Sequence, residues 1–136
     1  MSVHQKHESW QRCHTWLERN QEELVDIVVP TAAGSPKIQE VLKANLLTQL
    51  RYVSASLKNG TLQIPLELHR FNLQDFPEGV ESSPMYDRAF SLLLRLVNGE
   101  NCDFTVDGVP VGDDGVNALR KLIERLAEAY EGNFVF

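Results

Sequence analysis

Apolar side chains recur every three to four residues over most of the first 60 positions, which is the period of an amphipathic helix. From Glu8 to Val28 one face of the helical wheel carries an apolar set: Trp10, Cys13, Leu17, Leu24, Ile27 and Val28. We expect Pro30 to end this helix, because proline has no N–H to donate and its ring clashes with the preceding turn. A second helix is predicted from Ser35-Pro36 to Asn59-Gly60, and it should pack on the first as an antiparallel hairpin.

After Gly60 the period changes from that of a helix to that of a strand. Leu62, Ile64, Leu66 and Leu68 alternate with other residues, which predicts a strand over residues 62–69 with one buried face. Pro65 cannot donate to a ladder, so we expect this strand to lie at a sheet edge.

The second half of the chain predicts two more helices around a hairpin. The third helix should open at Ser83-Pro84 and run to Asn98, and Asp107-Gly108 is typical of a two-residue hairpin turn. A fourth helix capped by Asp113 or Asp114 should end at Gly132, and the apolar tail 133–136 suits a last strand or a core plug. The predicted order is α-α-β-α-β-β-α, with an optional last β. We therefore predict one α+β domain over residues 1–136, with a small, mainly antiparallel sheet and helices packed on one face.

Composition narrows the classes of protein that fit this fold. The chain has 136 residues, a net charge of −6 and basic residues that are scattered, so binding to nucleic acid is not expected. No apolar run approaches the roughly 20 residues of a membrane span, and the start of the chain lacks the apolar region of a secretory signal. Cys13 and Cys102 are far apart and are expected to be reduced thiols. We therefore expect a cytoplasmic protein without a membrane anchor.

Two groups of residues carry a metal hypothesis. The first is a His/Cys group, His4, His7, Cys13 and His14, whose spacing lacks the i, i+4 pair that helical metal sites favour. The second is the segment 103–114, which fits part of a calcium-loop pattern but ends on an aspartate and contains Pro110. A hairpin followed by a helix cap explains the second segment without a cation. We expect no resident metal or cofactor, and weak calcium binding through 103–114 stays an alternative.

An enzymatic site has little positive support in the sequence. No nucleophile elbow, phosphate-binding loop or dinucleotide fingerprint is present. Glu67 and His69 lie on one face of the predicted strand, and Arg70 and Asp75 follow them. A small enzyme or ligand-binding protein built on these four residues is therefore the main alternative.

The loop after the predicted strand is the main candidate for a partner-binding surface. It carries apolar, aromatic and charged side chains close together: Arg70, Phe71, Leu73, Asp75 and Phe76. Arginine and aromatic residues on loops often anchor protein interfaces, although these rings could also fold back onto the domain. Trp16 lies at the edge of the first helix's apolar face, where it could contact a partner or cap the core.

The sequence as a whole favours a non-enzymatic protein–protein interaction module. An adaptor, an inhibitor, an immunity-type protein and a specialised chaperone all fit the acidic surface and the aromatic loop. Acidic charge favours a basic protein partner. A homodimer is also compatible with the sequence, because an edge strand and an edge tryptophan can self-associate.

Overall fold

The computed structural model describes residues 3–64, 72–99 and 102–129. Within these ranges the chain forms four helices: α1 (Val3–Ala32), α2 (Pro36–Asn59), α3 (Ser82–Asn98) and α4 (Asp113–Ala129). Strands β1 (Thr105–Val106) and β2 (Val109–Pro110) form a small antiparallel sheet between α3 and α4. The class is broadly α+β, and helix dominates it. None of the helices in these ranges is long and apolar enough to cross a membrane.

Helix α1 continues through Pro30, so the prediction that this proline ends the helix is wrong. Ala33 still donates its N–H to the carbonyl of Val29 at 3.0 Å, which closes a helical turn after the proline. Pro30 itself is exposed, whereas Val29 and Ala32 are buried on the other side of the same turn. Pro30 has no N–H to donate to the preceding turn, which costs a helical hydrogen bond, and burial of the neighbouring side chains offsets that loss.

The predicted bounds of α2 are confirmed. Ser35 is extended at the N-cap position, Pro36 is the first helical residue, and Gly60 adopts a left-handed φ of 72° after the last one. Gly60 donates its N–H to Leu57 and Thr61 donates to Ser56, which is the Schellman arrangement of a glycine-capped helix end. The Ser35 hydroxyl makes no cap hydrogen bond, so this start depends on the backbone and on Pro36.

The apolar faces of all four helices meet in one core, and α1 packs against each of the other three. The largest fully buried side chains come from every helix: Leu17, Leu42, Leu46, Leu50, Leu57, Phe90, Leu93, Leu119, Leu122, Ile123 and Leu126. Helices pack on helices here, and the small sheet lies at the side of this core.

The hairpin predicted at Asp107-Gly108 is confirmed. Val106 pairs with Val109, and both turn residues have positive φ, 52° for Asp107 and 82° for Gly108. Positive φ at both central positions is the signature of a type I′ turn. Arg19 of α1 pairs with the Asp107 carboxylate at 3.0 Å and so joins the hairpin to the helix.

The starts of α3 and α4 differ from their predicted caps. Helix α3 begins at Ser82 with Glu81 as N-cap rather than Ser83, and Pro84 is accommodated in a first turn whose N–H groups need no helical partner. Helix α4 begins at Asp113, but the hydroxyl that accepts a bond from its first turn belongs to Ser9 of α1.

Two predicted strands lie partly or wholly outside the described ranges. Positions 62–64 are described and have no regular structure, whereas residues 65–71 lie outside the described ranges. The tail 133–136 and the predicted helix end at Gly132 also lie outside them. The larger sheet and the full order of strands stay predictions.

Candidate functional site

The loop that the sequence indicates as partner-binding is partly folded back onto the helices. Leu73 and Phe76 are half-buried against the core, and the Phe76 ring meets the Tyr86 ring edge-on at 5.8 Å. Asp75 is exposed, whereas Arg70 and Phe71 lie outside the described residues. For Leu73 and Phe76, the structure therefore shows the fold-back arrangement.

A buried amide holds this loop in place. The Asn45 side chain of α2 donates to the carbonyl oxygen of Gln74 at 3.0 Å and accepts from the Gln74 N–H at 2.8 Å. Its second N–H donates to the hydroxyl of Tyr86 at 2.9 Å. Burial raises the pKa of Tyr86 to about 12, although the hydrogen bond from Asn45 acts in the opposite direction. Asn45 thus pairs with the loop as a neighbouring strand would.

Trp16 lies inside the molecule rather than at an exposed edge. Its side chain is 3% exposed, its indole N–H donates to the carbonyl of Asp103 at 2.7 Å, and its ring lies 4.5 Å from that of Phe104. Trp16 therefore attaches the segment before the hairpin to α1. It presents little surface to a partner, so the structure agrees with the alternative in which it caps the core.

A groove runs along the C-terminal half of α1, and we call it the α1 groove. Its first wall consists of five α1 residues: Trp16, Asn20, Glu23, Leu24 and Ile27. Its second wall consists of Leu96 from α3 followed by Cys102 and Asp103. The groove has a volume of about 310 Å³. Its residues on α1 recur at the helical spacing, so they form a continuous stripe.

Ile27 is the most exposed apolar side chain of this groove. It is 48% exposed, a value that only Val109 of the hairpin also reaches among the large apolar residues that the structure describes. The sequence pattern places Ile27 in the apolar set of this helix, whereas the structure leaves about half of its side chain exposed. A signal was present, because Leu24, Val25, Ile27, Val28 and Val29 are more apolar residues than one helical face can bury.

The charges of the α1 groove have one sign. Glu23 and Asp103 contribute carboxylates, and no lysine or arginine lines the groove in the described part of the chain. Burial raises the pKa of the Cys102 thiol, and the nearby Glu23 charge raises it further against the opposing effect of Arg120. The groove therefore combines an apolar surface and a neutral thiol with a negative rim.

A second cleft lies between the start of α1 and α4. It has a volume of about 410 Å³, is open to solvent, and contains Trp10, Leu62, Asn117 and Ala118. Its charged residues carry both signs: Asp114, Arg120, Lys121 and Glu124. This mixed and shallow surface shows no preference for one ligand charge.

Of the four residues of the enzymatic alternative, the structure describes only Asp75. Asp75 is exposed and lines neither of these two clefts. Glu67, His69 and Arg70 lie outside the described ranges.

His14 forms a chain of hydrogen bonds, and its position between two helices indicates a structural role. Its Nδ1 lies 2.8 Å from the Ser54 hydroxyl and 2.9 Å from the Ser54 carbonyl oxygen, and its Nε2 lies 3.2 Å from Glu18. Ser54 is 4% exposed between α1 and α2, so a substrate could not reach its hydroxyl. These contacts from serine to histidine to carboxylate therefore join α1 to α2.

The positions of the described residues do not support either metal hypothesis. Cys13 is fully buried and burial raises its pKa to about 12, so it is a core side chain rather than a thiolate ligand. His7 is exposed, and the side chain of His4 lies outside the description. No group of three or more His, Cys, Asp or Glu side chains is placed to hold a metal ion in the described ranges.

The segment 103–114 contains strands β1 and β2 and the first residues of α4. The Asp107 carboxylate pairs with Arg19, and Thr105 and Pro110 are paired across the ladder.

Comparison of the chain with protein-family models, with curated proteins and with solved structures returns no match. The surfaces of this chain are therefore what indicates its function. Of these, the α1 groove combines an exposed apolar residue, a concave shape and a single sign of charge.

Proposed function

We propose that this chain is a non-enzymatic protein–protein interaction module, an adaptor, inhibitor, immunity-type protein or specialised chaperone of the cytoplasm, and that it binds its partner through the α1 groove. The observation that carries the proposal is the exposure of Ile27 beside Leu24 and Leu96. Apolar surface gains about 25 cal/mol per Å² when it leaves water, and a concave setting lets a partner cover it.

Burial around the groove supports this role for Ile27. Leu24, one turn before it on α1, is 6% exposed and belongs to the core, so the groove has a firm apolar base. Ile27 stands beside that base with about half of its surface in water. An anchor next to a preformed groove can be buried by a partner with little rearrangement of the chain.

The loop stays part of the proposal as a second contact. Arg70, Phe71 and Asp75 are the proposed partner-facing residues, while Leu73 and Phe76 support the loop from the core side. The Asn45–Gln74 hydrogen bonds support this assignment, because they hold one end of the loop in a fixed position.

Affinity capture from the native host tests the proposal. The wild-type chain and the variants Ile27→Asp and Val109→Asp are immobilised separately and compared. The two variants introduce the same charge at two equally exposed apolar positions. We expect the wild type and Val109→Asp to retain a stoichiometric partner that Ile27→Asp loses by at least tenfold. Equal recovery by all three chains, or no stoichiometric partner for any of them, contradicts the proposal.

The loop is tested in the same capture. Phe71→Ala and Asp75→Ala should each reduce recovery, whereas Ser91→Ala, an exposed substitution on α3, should not. Unchanged recovery by both loop variants would remove the loop from the proposal and leave the α1 groove as the contact. Thermal unfolding of every variant shows that a loss of recovery is not a loss of fold.

A further inference from the structure

We infer that the α1 groove takes an amphipathic helix of a partner protein, one that carries apolar residues on one face and lysine or arginine beside them. This inference rests on the proposed function and names the chemistry of the partner. Backbone hydrogen bonding, the length of the groove and its charge each support it.

The walls of the groove offer few backbone partners to an extended peptide. The stripe from Trp16 to Ile27 and residue Leu96 lie inside helices, where the N–H and C=O groups are paired with their own helix. The carbonyl of Asp103 already accepts the Trp16 indole, and the Asn20 amide donates to the Trp16 carbonyl at 2.7 Å. A bound strand would bury unsatisfied backbone groups here, whereas a helix satisfies its own.

The length of the groove matches a short helix. From Trp16 to Ile27 it follows three turns of α1, about 16 Å at 1.5 Å per residue. A partner helix of about three turns presents apolar residues at i, i+4 and i+7 along that length. The volume of about 310 Å³ is enough for a few aliphatic side chains rather than for a whole folded element.

Charge selects the kind of helix and disfavours a second copy of this chain. Neither Glu23 nor Asp103 forms an ion pair with the basic side chains that the structure describes. Lysine or arginine flanking the apolar face of a partner would meet these carboxylates at the rim. A second copy brings a net charge of −6 to a surface of the same sign, which opposes homodimerisation through the groove.

Peptide display tests the inference with a defined probe. A phage library of random 16-residue peptides is selected on the immobilised full chain and depleted on Ile27→Asp. We expect enriched sequences with apolar residues at helical spacing and a net positive charge. Synthetic versions should gain helical circular dichroism on binding. They should lose at least tenfold in affinity for Ile27→Asp and several-fold for Glu23→Lys, while Val109→Asp binds as the wild type does.

The other outcomes separate the inference from the proposed function. Ile27-dependent peptides with alternating apolar residues, or without basic residues, overturn the helix inference and leave the groove as a binding surface. If no selected peptide depends on Ile27, the inference also fails, and the capture experiment decides the proposed function independently. A dimer seen by light scattering in the wild type but not in Ile27→Asp would show a second copy in the groove and overturn the inference.

Discussion

Asn45 shows at the scale of one residue how a buried amide can organise its surroundings. It is 1% exposed and forms three hydrogen bonds, two with the backbone of Gln74 and one with Tyr86. We expect Asn45→Ala to lower the free energy of unfolding by about 2–3 kcal/mol, because the Gln74 backbone and the buried Tyr86 hydroxyl lose their bonds to Asn45. Urea unfolding measures this change. Asn98→Ala, which removes an exposed amide on α3, is the matched control and should cost under about 0.5 kcal/mol.

An equal effect of the two asparagine substitutions would contradict the role of Asn45. The loop offers a second readout, because both the N–H and the carbonyl of Gln74 bond to the Asn45 side chain. Hydrogen exchange at the Gln74 amide should therefore accelerate in Asn45→Ala and stay unchanged in Asn98→Ala.

Tyr86 makes the same cluster sensitive to high pH. Burial raises its pKa from the ordinary value of 10.0 to about 12. The neutral phenol is favoured in the folded state, so its stabilisation is complete below pH 10 and is lost as the pH rises towards 12. At about 1.4 kcal/mol per pKa unit, the stability difference between the wild type and Tyr86→Phe should fall by roughly 2–3 kcal/mol over that range. Unfolding curves of both proteins from pH 8 to 12 measure it.

Comparison with Tyr86→Phe removes the effects of the other groups that titrate at high pH, because both proteins share them. A stability difference that stays constant from pH 8 to 12 would mean that Tyr86 ionises as easily in the folded chain as in the unfolded one. The buried environment assigned to the phenol would then be wrong.

Trp16 and Ile27 show which residue-scale features the sequence could and could not predict. Both belong to α1, one near the edge of its apolar face and the other within its apolar set. The structure exchanges these roles, because the segment 102–104 covers Trp16 and nothing in the described residues covers Ile27 to the same extent. A helical wheel gives the direction of a side chain but not the position of a distant segment that covers it.

At the scale of elements, Ser9 links α1 to the first turn of α4. Its hydroxyl accepts the N–H of Gly115 at 2.7 Å and donates to the carbonyl of Val111 at 2.7 Å. A Cβ at position 115 would collide with the Ser9 carbonyl oxygen, so the close approach of the two helices requires Gly115. This cap comes from more than 100 residues away in the sequence, and a local pattern therefore indicated Asp113 or Asp114 instead.

We expect Ser9→Ala to lower the free energy of unfolding by about 1–3 kcal/mol, because it leaves the Gly115 N–H and the Val111 carbonyl without this hydroxyl. Ser91→Ala removes an exposed serine from α3 and should change stability by under about 0.5 kcal/mol. Thermal and urea unfolding of both variants provide the comparison. If Ser9→Ala is as stable as Ser91→Ala, the hydroxyl does not cap α4.

Element boundaries were predictable where the signal is local. Pro36 and Gly60 bound α2 through their own backbone preferences, and Asp107-Gly108 specifies its turn in the same way. Pro30 failed as a boundary because the buried neighbours Val29 and Ala32 extend α1 past it. That burial depends on the helices packed against α1, and a rule based on neighbouring residues does not take this packing into account.

At the scale of the whole molecule, α1 is the element on which the others assemble. It contacts α2, α3, α4 and the hairpin, and both tryptophans lie on it. The sequence predicted four amphipathic helices and a hairpin, but it did not indicate which helix would be central. The apolar residues of α1 occupy more of its circumference than those of a helix with one neighbour. The part that other elements leave uncovered forms the α1 groove.

A central α1 predicts one cooperative unfolding transition and a large cost for any cavity in that helix. Leu17 is fully buried, so Leu17→Ala should lower the free energy of unfolding by about 2–5 kcal/mol. Tryptophan fluorescence, which reports α1, and far-ultraviolet circular dichroism, which reports all helices, should shift together to the same lower urea midpoint. Ile27→Ala removes a similar aliphatic side chain from the same helix at an exposed position and should cost under about 1 kcal/mol. Separate midpoints for the two signals would show that α1 unfolds apart from the other helices, and a cost at Ile27 equal to that at Leu17 would mean that Ile27 serves the core rather than a partner.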